Sequence, residues 1–353
     1  MIMLKKTLRK SKWSGLLAQS ITTLKELEKT LQVKEPGLKE IVSRYPMRIN
    51  PYYLGLIRNK GDAIYKQCVP NIKEMMDETG FEDPLNEEES SPVQGLTHRY
   101  PDRVLFLVSS KCAMYCRFCN RKRKVGHSEM VNSESIQEGI KYIRAHREIR
   151  DVLLSGGDPL LLGNHEIDQI LRELREISHI QIIRIGSRVP CTLPQRITPQ
   201  LVKILAQYHP LYINTHFNHP DEITPQSTLA CAMLANAGIP LGCQTVLLKG
   251  INDDPKIIKS LMQKLLMIRV RPYYLFQADL AKGTSHFWTP LHQGIKIMEC
   301  LQGHTSGMCV PHFAIDLPGG GGKVPLLPAY VTGIKNNHLL LRNYKGIIYK
   351  YPL

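Results

Sequence analysis

The feature that most constrains the fold of this chain is a regular alternation of short β-rich runs with amphipathic helical segments, which begins at Arg99. Such alternation is typical of an α/β fold whose parallel sheet is built from βαβ units. Six strands are predicted, at residues 104–108, 151–154, 180–185, 211–214, 245–248 and 273–276. Six parallel units are too few to close an eight-stranded barrel. The pattern therefore predicts a partial (β/α)6 barrel with its chemistry at the carboxyl ends of the strands.

Residues that cap helices mark several helix starts between these strands. A side-chain oxygen followed by proline in the first turn suits a helix N-terminus, because the oxygen accepts a free backbone amide and proline needs none. This device predicts helix starts at Thr198-Pro199, Thr224-Pro225, Asp254-Pro255 and Thr289-Pro290, and Ser135 with Glu138 predicts a capping box before a further helix.

The segments on either side of the alternating core have their own character. Residues 1–95 are predicted to be a mostly helical N-terminal extension, and the core barrel is predicted to span residues 96–308. Residues 309–353 are expected to form a short C-terminal segment with a glycine-rich loop and a hairpin over residues 338–349. A chain of 353 residues, of which 43% are hydrophobic, is long enough for one large core with such extensions.

Three cysteines stand at C-x3-C-x2-C spacing directly after the first predicted strand: Cys112, Cys116 and Cys119. Thiolates are the usual ligands of iron–sulfur clusters, and a four-iron cluster held by three of them keeps one iron open. Structural zinc is the alternative, but it normally requires four ligands from C-x2-4-C pairs, and the sequence has no partner pair. The spacing therefore predicts a [4Fe-4S] cluster. A binding module without catalysis would leave the βα units and the polar strand ends unexplained.

Polar or small residues follow several predicted strands at the edge where the chemistry is expected. Gly156 and Gly157 allow a close approach to the backbone, although an ordinary βα turn would use them equally well. His216 and His219 follow the fourth strand, where a metal pair is one interpretation and a polar ligand lining is the simpler one. Other such positions are Ser187, Arg188, Asn214 and Gln244.

The run PGGGGK at residues 318–323 looks like a phosphate-binding loop but lacks its pattern. Leu317 stands where that motif needs glycine, and Val324 stands where it needs serine or threonine. A lysine on a compact glycine run is well suited to present its amine to an aldehyde, as in Schiff bases with pyridoxal phosphate (PLP). A flexible surface loop with a solvated Lys323 is the alternative.

Composition limits the setting in which the chain works. The formal charge of +15 would suit a nucleic-acid partner, but the basic residues are spread along the chain, and a nucleic-acid partner is not expected. The first residues are basic without a sustained apolar run, so neither a signal peptide nor a membrane span is predicted. An oxygen-sensitive cluster needs a reducing compartment, which favours the cytoplasm.

The cysteine spacing, with Phe118 before the last cysteine, resembles the signature of the radical S-adenosylmethionine (SAM) superfamily. There the amino acid part of SAM chelates the open iron and reduction yields a 5′-deoxyadenosyl radical. Nearly the whole chain beyond its first forty or so residues closely resembles the lysine 2,3-aminomutase family, which also carries PLP. The motifs behind this resemblance are MRINPYY at 47–53, GLTHRYPDR at 95–103, the three cysteines, LSGGD at 154–158, LPQRIT at 193–198, residues 214–220, RPYY at 271–274, GHTSG at 303–307, and Asp316 with the PGGGGK run.

The resemblance implies roles for individual residues. It makes Cys112, Cys116 and Cys119 the cluster ligands and Lys323 the lysine that binds PLP. Arg99 and Arg103 are expected to contact the PLP phosphate, a role that suits a guanidinium group. The residues expected to contact SAM are Gly156, Gly157, Asp158, His216 and Gln244. The residues expected to bind substrate are Arg121, for the carboxylate, and Asp279 and Asp316, for a distal ammonium group.

The activity implied by the resemblance is the interconversion of L-α-lysine and β-lysine by a 1,2-amino shift. Arginine is a potential competing substrate, since two carboxylates also suit a guanidinium group. A reducing protein such as flavodoxin or ferredoxin is an expected partner. A homo-oligomer is compatible with the resemblance, but no zinc site is expected, because the cysteine-rich C-terminal segment of the clostridial-type enzyme has no counterpart here. The alternatives are a β-lysine-forming enzyme for elongation-factor modification and an RNA-modifying radical SAM enzyme.

Overall fold

A computed structural model describes residues 13–127 and 130–353 of the chain. The prediction that no signal peptide begins the chain rests mainly on residues 1–12, which lie outside the described residues. Within the described part, no helix is long and apolar enough to cross a membrane. The division into segments 1–95, 96–308 and 309–353 stays a prediction.

Short helices make up much of the N-terminal segment. The described helices before the sheet are α1 (Trp13–Ala18), α2 (Leu24–Leu31), α3 (Leu38–Arg44), α4 (Pro51–Leu54) and α5 (Ala63–Cys68). Thr23 caps α2 and forms a capping box with Glu26, while Leu27 is fully buried on the opposite face. Asn50 caps α4, and Tyr53 of that helix is also fully buried. Helices α2 to α5 pack into the same core as the sheet that follows, whereas Leu16 of α1 packs in a smaller cluster with Ala113 and Leu193.

A nine-stranded sheet forms the centre of the molecule, with its strands in sequential order. The strands are β1 (Leu96–Tyr100), β2 (Arg103–Ser109), β3 (Asp151–Gly156), β4 (Ile182–Gly186), β5 (Leu211–Thr215), β6 (Leu241–Leu247), β7 (Arg271–Gln277), β8 (His312–Leu317) and β9 (Gly322–Pro325). Strands β2 to β8 are parallel, and β1 and β9 pair antiparallel at the two edges. This is the predicted partial barrel, and all six predicted strands are present.

The parallel part of the sheet has a seventh strand, β8, that the sequence pattern does not predict. Only Phe313 and Ala314 of its six residues are buried. With so short a buried run, β8 shows neither a clear alternation nor a continuous apolar stretch. The strand matters for the site because it carries Asp316.

Helices connect the parallel strands. They are α6 (Ser133–Ala145), α7 (Asn164–Arg175), α8 (Val189–Thr192), α9 (Pro199–Leu205), α10 (Pro225–Asn236), α11 (Pro255–Met267) and α12 (Leu291–Leu301). Two glycines allow close packing on the sheet. A Cβ at Gly139 of α6 would collide with the Phe106 ring, and a Cβ at Gly294 of α12 would collide with the Phe313 ring. Helix and sheet therefore touch where a side chain would separate them.

Three of the predicted helix caps are confirmed, namely Thr198, Thr224 and Asp254. The Thr289 cap is wrong by one residue: Pro290 is the N-cap of α12, and the Thr289 carbonyl accepts a hydrogen bond from Gln277 Nε2 at 2.6 Å instead. The predicted Ser135 box is also misplaced, as described next.

Helix α6 starts earlier than predicted because Asn132 is the better N-cap. The Asn132 side chain accepts the Ser135 amide at 2.8 Å, and Ser135 Oγ accepts the Asn132 amide at 3.1 Å. Ser135 is therefore the third residue of the helix and the reciprocal member of the box rather than its cap.

The C-terminal residues form a separate three-stranded antiparallel sheet of β10 (Val331–Lys335), β11 (His338–Arg342) and β12 (Ile348–Pro352). The predicted hairpin is present as β11 and β12, and it extends three residues further than predicted. Arg342 joins this sheet to α12 through an ion pair with Glu299 at 2.8 Å.

Candidate active site

One cavity of about 630 Å³ opens at the carboxyl ends of the parallel strands. Its lining, which does not include His219, includes every residue to which the family resemblance assigns a site role: Arg99, Arg103, Cys112, Cys116, Cys119, Arg121, Gly156, Gly157, Asp158, His216, Gln244, Asp279, Asp316 and Lys323. These residues come from both edges and the middle of the sheet, so the fold brings the predicted site together in one place. The role of each residue stays a prediction.

The cysteine loop follows β2 and is held by backbone contacts to the N-terminal helices. The Tyr115 amide donates to the Arg48 carbonyl at 3.0 Å, and the Arg117 amide donates to the Gln67 carbonyl at 2.9 Å. Asn50, which caps α4, also donates to the Ala113 carbonyl at 3.0 Å. The N-terminal segment therefore fixes the loop that carries the three thiols.

A buried charge cluster anchors the same loop. Glu74 accepts hydrogen bonds from Arg117 and from Lys122, the latter at 2.8 Å, and its side chain is fully buried. Although burial opposes its charge, these two cations lower the pKa of Glu74 to about 2. Burial lowers the pKa of Lys122 to about 8 against the opposing effect of Glu74. Removing one of these three charged side chains would leave an unpaired charge in the interior. The three residues therefore hold the cysteine loop in one position.

The three thiols have the chemistry that an iron–sulfur cluster requires. Burial raises the pKa of Cys112 well above its usual range and that of Cys119 to about 11, so an adjacent metal charge would be needed to hold both as thiolates. Among the described residues, no group of three or more His, Cys, Asp or Glu side chains surrounds the position of a single metal ion. In a [4Fe-4S] cluster each thiolate binds a different iron, so three separate thiols on one loop are a donor set that such a cluster can take.

Gly156 and Gly157 end β3 against the cysteine loop. Gly156 has a φ of +126°, and a Cβ there would collide with the Ser109 carbonyl. A Cβ on Gly157 would come within 2.5 Å of the Lys111 carbonyl oxygen. Close packing between β3 and the cysteine loop is thus one reason for the glycine pair, and both residues also line the cavity.

The Asp158 carboxylate is engaged by protein groups. It accepts hydrogen bonds from Ser187 Oγ at 2.7 Å and from the amides of Arg188 and Val189 at 2.8 and 3.1 Å. Burial raises the pKa of Asp158 to about 6 despite these hydrogen bonds. Asp158 therefore connects the end of β3 to the loop after β4, and its contact with SAM stays a prediction.

His216 directly follows β5, and Gln244 lies in the neighbouring strand β6. His216 Nε2 is 2.8 Å from Asn218 Oδ1, and its ring lies 5.7 Å from that of Phe118 in the cysteine loop. Burial lowers the pKa of His216 to about 3, so the ring is neutral and donates this hydrogen bond. His219 makes a local contact instead: its Nδ1 accepts a hydrogen bond from the Asp221 amide at 3.2 Å.

Arg188 is a cavity residue that the sequence places among the polar strand ends without assigning it a partner. Its Nη1 donates to Cys116 Sγ at 2.9 Å, and its Nη2 donates to Glu222 at 2.8 Å and to Gln67 at 2.6 Å. The available sequence signal is its place two residues after β4, at the reactive edge of the barrel. Its contact with a cluster cysteine depends on the fold, because 72 residues separate the two in the chain.

The PGGGGK run forms the turn of a β-hairpin between β8 and β9. Gly319, Gly320 and Gly322 have positive φ angles, which explains why glycine occupies the turn. In the hairpin register Asp316 lies directly opposite Lys323. Lys323 Nζ lies 2.9 Å from both Asp316 carboxylate oxygens. The lysine is therefore presented by a hairpin, and its amine points to a carboxylate that lines the cavity.

Two arginines at the opposite edge of the sheet line the same part of the cavity. Arg99 donates to the Leu85 carbonyl, while its buried Nε has no hydrogen-bond partner among the described residues. Arg103 pairs with Asp102 at 2.8 Å and lies 3.9 Å from the centre of the Tyr100 ring. Tyr100 in turn accepts the Lys323 amide at 3.1 Å. A buried guanidinium N–H without a partner beside the lysine hairpin fits an anionic group such as a phosphate.

Asp279 and Asp316, which are predicted to bind the distal ammonium group of the substrate, line the same cavity. Asp279 follows β7 and accepts a hydrogen bond from Asn120 at 2.7 Å. Burial, and next the charge of Asp316, raise the pKa of Asp279 to about 6. Two carboxylates near each other in a buried site attract a cation, because a bound positive charge relieves their mutual repulsion.

Glu87 is a second residue that the sequence does not identify. It accepts hydrogen bonds from Arg121 Nε at 2.9 and 3.0 Å to its two oxygens and from Arg121 Nη2 at 2.5 Å. Glu87 is buried and lies in the acidic loop before β1, where exposed glutamates such as Glu88 surround it. Nothing in the sequence distinguishes it from those neighbours. The pair holds Arg121 in one orientation toward the cavity.

A partial parallel barrel with a three-cysteine loop after its first parallel strand defines a radical SAM protein. Residues 106–261 match the family model of the radical SAM superfamily. Residues 298–353 match the model described as Lysine-2,3-aminomutase. The chain belongs to the lysine 2,3-aminomutase family, and the sequence resemblance is confirmed.

Similarity to individual proteins extends over nearly the whole chain. It is 50% identical to the L-lysine 2,3-aminomutase of Clostridium subterminale, over 96% of this chain and 83% of the relative. It is 52% identical to that of Methanococcus maripaludis, over 96% and 80%. It is also 46% identical to the glutamate 2,3-aminomutase of Clostridioides difficile, over 96% and 81%. The family thus includes enzymes named for two different amino acids.

Proposed function

We propose that this protein is an L-lysine 2,3-aminomutase, an isomerase that interconverts L-α-lysine and β-lysine with a [4Fe-4S] cluster, SAM and PLP. The observation that carries the choice of substrate is the pair of carboxylates, Asp279 and Asp316, in the cavity beside Lys323. A distal ammonium group is the partner that such a pair prefers, whereas a distal carboxylate would be repelled. This argues against glutamate as the main substrate.

The protein side of the mechanism follows from the cavity walls. When bound, the cluster with SAM supplies a 5′-deoxyadenosyl radical, and PLP supplies the π-system that stabilises the migrating nitrogen. Arg121, oriented by Glu87, binds the substrate carboxylate. Asp279 and Asp316 bind the far end of the side chain, so the reacting carbons are held between two fixed points.

Lys323 and Asp316 lie together in the cavity. The Lys323 amine is the nucleophile proposed for PLP, and the Asp316 carboxylate 2.9 Å from Nζ orients that amine. Arg99 and Arg103 provide positive charge for a phosphate at the same end of the cavity. The predicted roles of Cys112, Cys116 and Cys119 place the radical chemistry at the other end.

The setting of the enzyme is part of the proposal. An oxygen-sensitive cluster needs a reducing compartment, so we place the protein in the cytoplasm with a flavodoxin or ferredoxin as electron donor. The net charge of +15 supports an acidic electron donor. A homo-oligomer is compatible with this proposal.

Anaerobic turnover tests the proposed function directly. The cluster-reconstituted protein with PLP, SAM and dithionite should convert lysine to β-lysine, measured by chromatography of the derivatised amino acids. Lysine should react faster than arginine and much faster than glutamate. Faster turnover of glutamate would exclude the lysine assignment. Borohydride treatment of the PLP-loaded protein, followed by peptide mapping, should place the cofactor on Lys323, and label on another lysine would contradict that role.

A further inference from the structure

We propose that Arg188 sets the reduction potential of the cluster through its hydrogen bond to the Cys116 thiolate. This inference rests on the proposed function only in that the cysteines hold a cluster. Arg188 Nη1 lies 2.9 Å from Cys116 Sγ, within hydrogen-bond distance for a sulfur acceptor. The other nitrogen of the fork, Nη2, points to Glu222 and Gln67.

The guanidinium group is fixed by residues that do not themselves ligate the cluster. Its side chain is only 9% exposed, and it forms an ion pair with Glu222 at 2.8 Å. Gln67 in α5 accepts a second hydrogen bond at 2.6 Å, and the Phe118 ring lies 5.2 Å from the guanidinium carbon. The contact with Cys116 is therefore imposed by the surrounding fold.

Glu222 is held independently of Arg188. Its side chain is fully buried, and it accepts hydrogen bonds from the Tyr53 hydroxyl at 2.6 Å and from the Asn218 amide at 2.6 Å. Asn218 also donates to Gln67 at 3.1 Å, which closes the network. A buried carboxylate is thus the counter-charge of Arg188, while the Nη1 hydrogen is directed at the sulfur.

This arrangement bears on one step, the transfer of one electron from an external donor to the cluster. The electron makes the cluster and its thiolates more negative by one charge. A hydrogen-bond donor on a ligand sulfur stabilises that extra charge and raises the potential. The donor side of this hydrogen bond is shielded from water, since the Arg188 side chain is largely buried, and such shielding strengthens the interaction. Arg188 therefore favours the reduced cluster, the form that cleaves SAM.

A potentiometric titration of the cluster tests this proposal without lysine turnover. The reconstituted protein, free of SAM and substrate, is reduced stepwise with dithionite, and the reduced cluster is measured by electron paramagnetic resonance. In Arg188→Met the ratio of reduced to oxidised cluster at a fixed potential should fall at least tenfold, which equals a shift of about 59 mV for a one-electron couple. Arg188→Lys should fall between the two.

Arg175→Gln is the matched control. Arg175 is also partly buried, but it donates to the carbonyls of Tyr208 and Pro210 and not to a cysteine. Its loss removes the same formal charge and should leave the midpoint potential unchanged. An unchanged midpoint in Arg188→Met, with a full complement of iron, would overturn the proposal.

Glu222→Gln gives a second test with the opposite sign. Removing this buried negative charge leaves the Arg188 charge less balanced, so the midpoint should rise. If Arg188→Met does not assemble a cluster, Glu222→Gln provides the test. A midpoint potential of Glu222→Gln equal to or below that of the unmodified protein would contradict the proposal. Because no amino acid is turned over in either test, a failure here is distinct from a failure of the proposed aminomutase function.

Discussion

Lys323 and Asp316 face each other across the β8–β9 hairpin, with the lysine Nζ 2.9 Å from both carboxylate oxygens. Without PLP, the Lys323 ammonium group thus occupies the carboxylate that is predicted to bind the substrate's distal ammonium group. In the proposed function, Lys323 and the substrate would therefore compete for Asp316 as long as Lys323 does not carry PLP.

The first prediction follows from this competition. In PLP-free protein, Lys323→Met should bind lysine about two- to fivefold more tightly, corresponding to about 0.5–1 kcal/mol for displacing a partly exposed ion pair. Isothermal titration calorimetry measures this affinity. Lys345→Met, which removes an exposed lysine from the C-terminal sheet region, is the control and should have no effect. Equal or weaker binding by Lys323→Met would contradict the competition.

The second prediction concerns the carboxylate pair. Asp316→Asn or Asp279→Asn should lower kcat/KM for lysine, because the distal ammonium group would lose a charged partner. The expected loss of transition-state binding free energy is about 2–5 kcal/mol. Steady-state kinetics with saturating PLP and SAM provide the measurement. Unchanged kinetics in Asp316→Asn would remove the basis for choosing lysine over glutamate.

The third prediction assigns Glu87 the task of orienting Arg121. Glu87→Gln should raise KM for lysine roughly tenfold, since the guanidinium group would no longer be fixed toward the substrate carboxylate and binding would lose about 1.4 kcal/mol. The matched control is Glu88→Gln, which changes the adjacent, exposed glutamate and should leave KM as it is. Similar effects of both substitutions would argue for a general effect of loop charge instead.

The fourth prediction is a loss of activity in acid. Burial, with the Asp316 charge, raises the pKa of Asp279 to about 6, and only the ionised carboxylate attracts the lysine ammonium group. The kcat/KM for lysine should therefore be constant well above pH 6 and decrease about tenfold per pH unit below it. In Asp279→Asn this decrease should disappear from that range, on a lower activity overall. Retention of the same acidic limb in the variant would assign it to another group.

The raised pKa of Asp279 also affects the folding stability of the protein. Whereas activity should increase with pH, this contribution to stability decreases with pH. An acid whose pKa is higher in the folded than in the unfolded protein favours folding when protonated. The contribution of Asp279 is thus fully present below its unfolded value of about 3.8 and is lost as the pH rises through about 6. Asp279→Asn should therefore become more stable relative to the unmodified protein as the pH rises across this window, which chemical denaturation at several pH values measures.

The features that the sequence predicts well are those encoded over short distances. The period of the apolar residues predicts the parallel strands, and the spacing of Cys112, Cys116 and Cys119 predicts a cluster loop. The caps at Thr198 and Thr224 rest on a hydroxyl group beside a proline and are confirmed. Strand β8 is missed because its buried run of two residues carries no period, and its recognition needs the neighbouring strand.

By itself, the sequence determined the class of fold and the cluster loop, because each depends on a local pattern, while its resemblance to a family indicated the residues that meet in the cavity. Only the tertiary structure decided which side chains hold these groups in place. Arg188 meets Cys116 across 72 residues, and Glu87 meets Arg121 across 34. Such pairs depend on which loops the barrel brings together and on the direction in which each side chain points, and no short-range pattern encodes either.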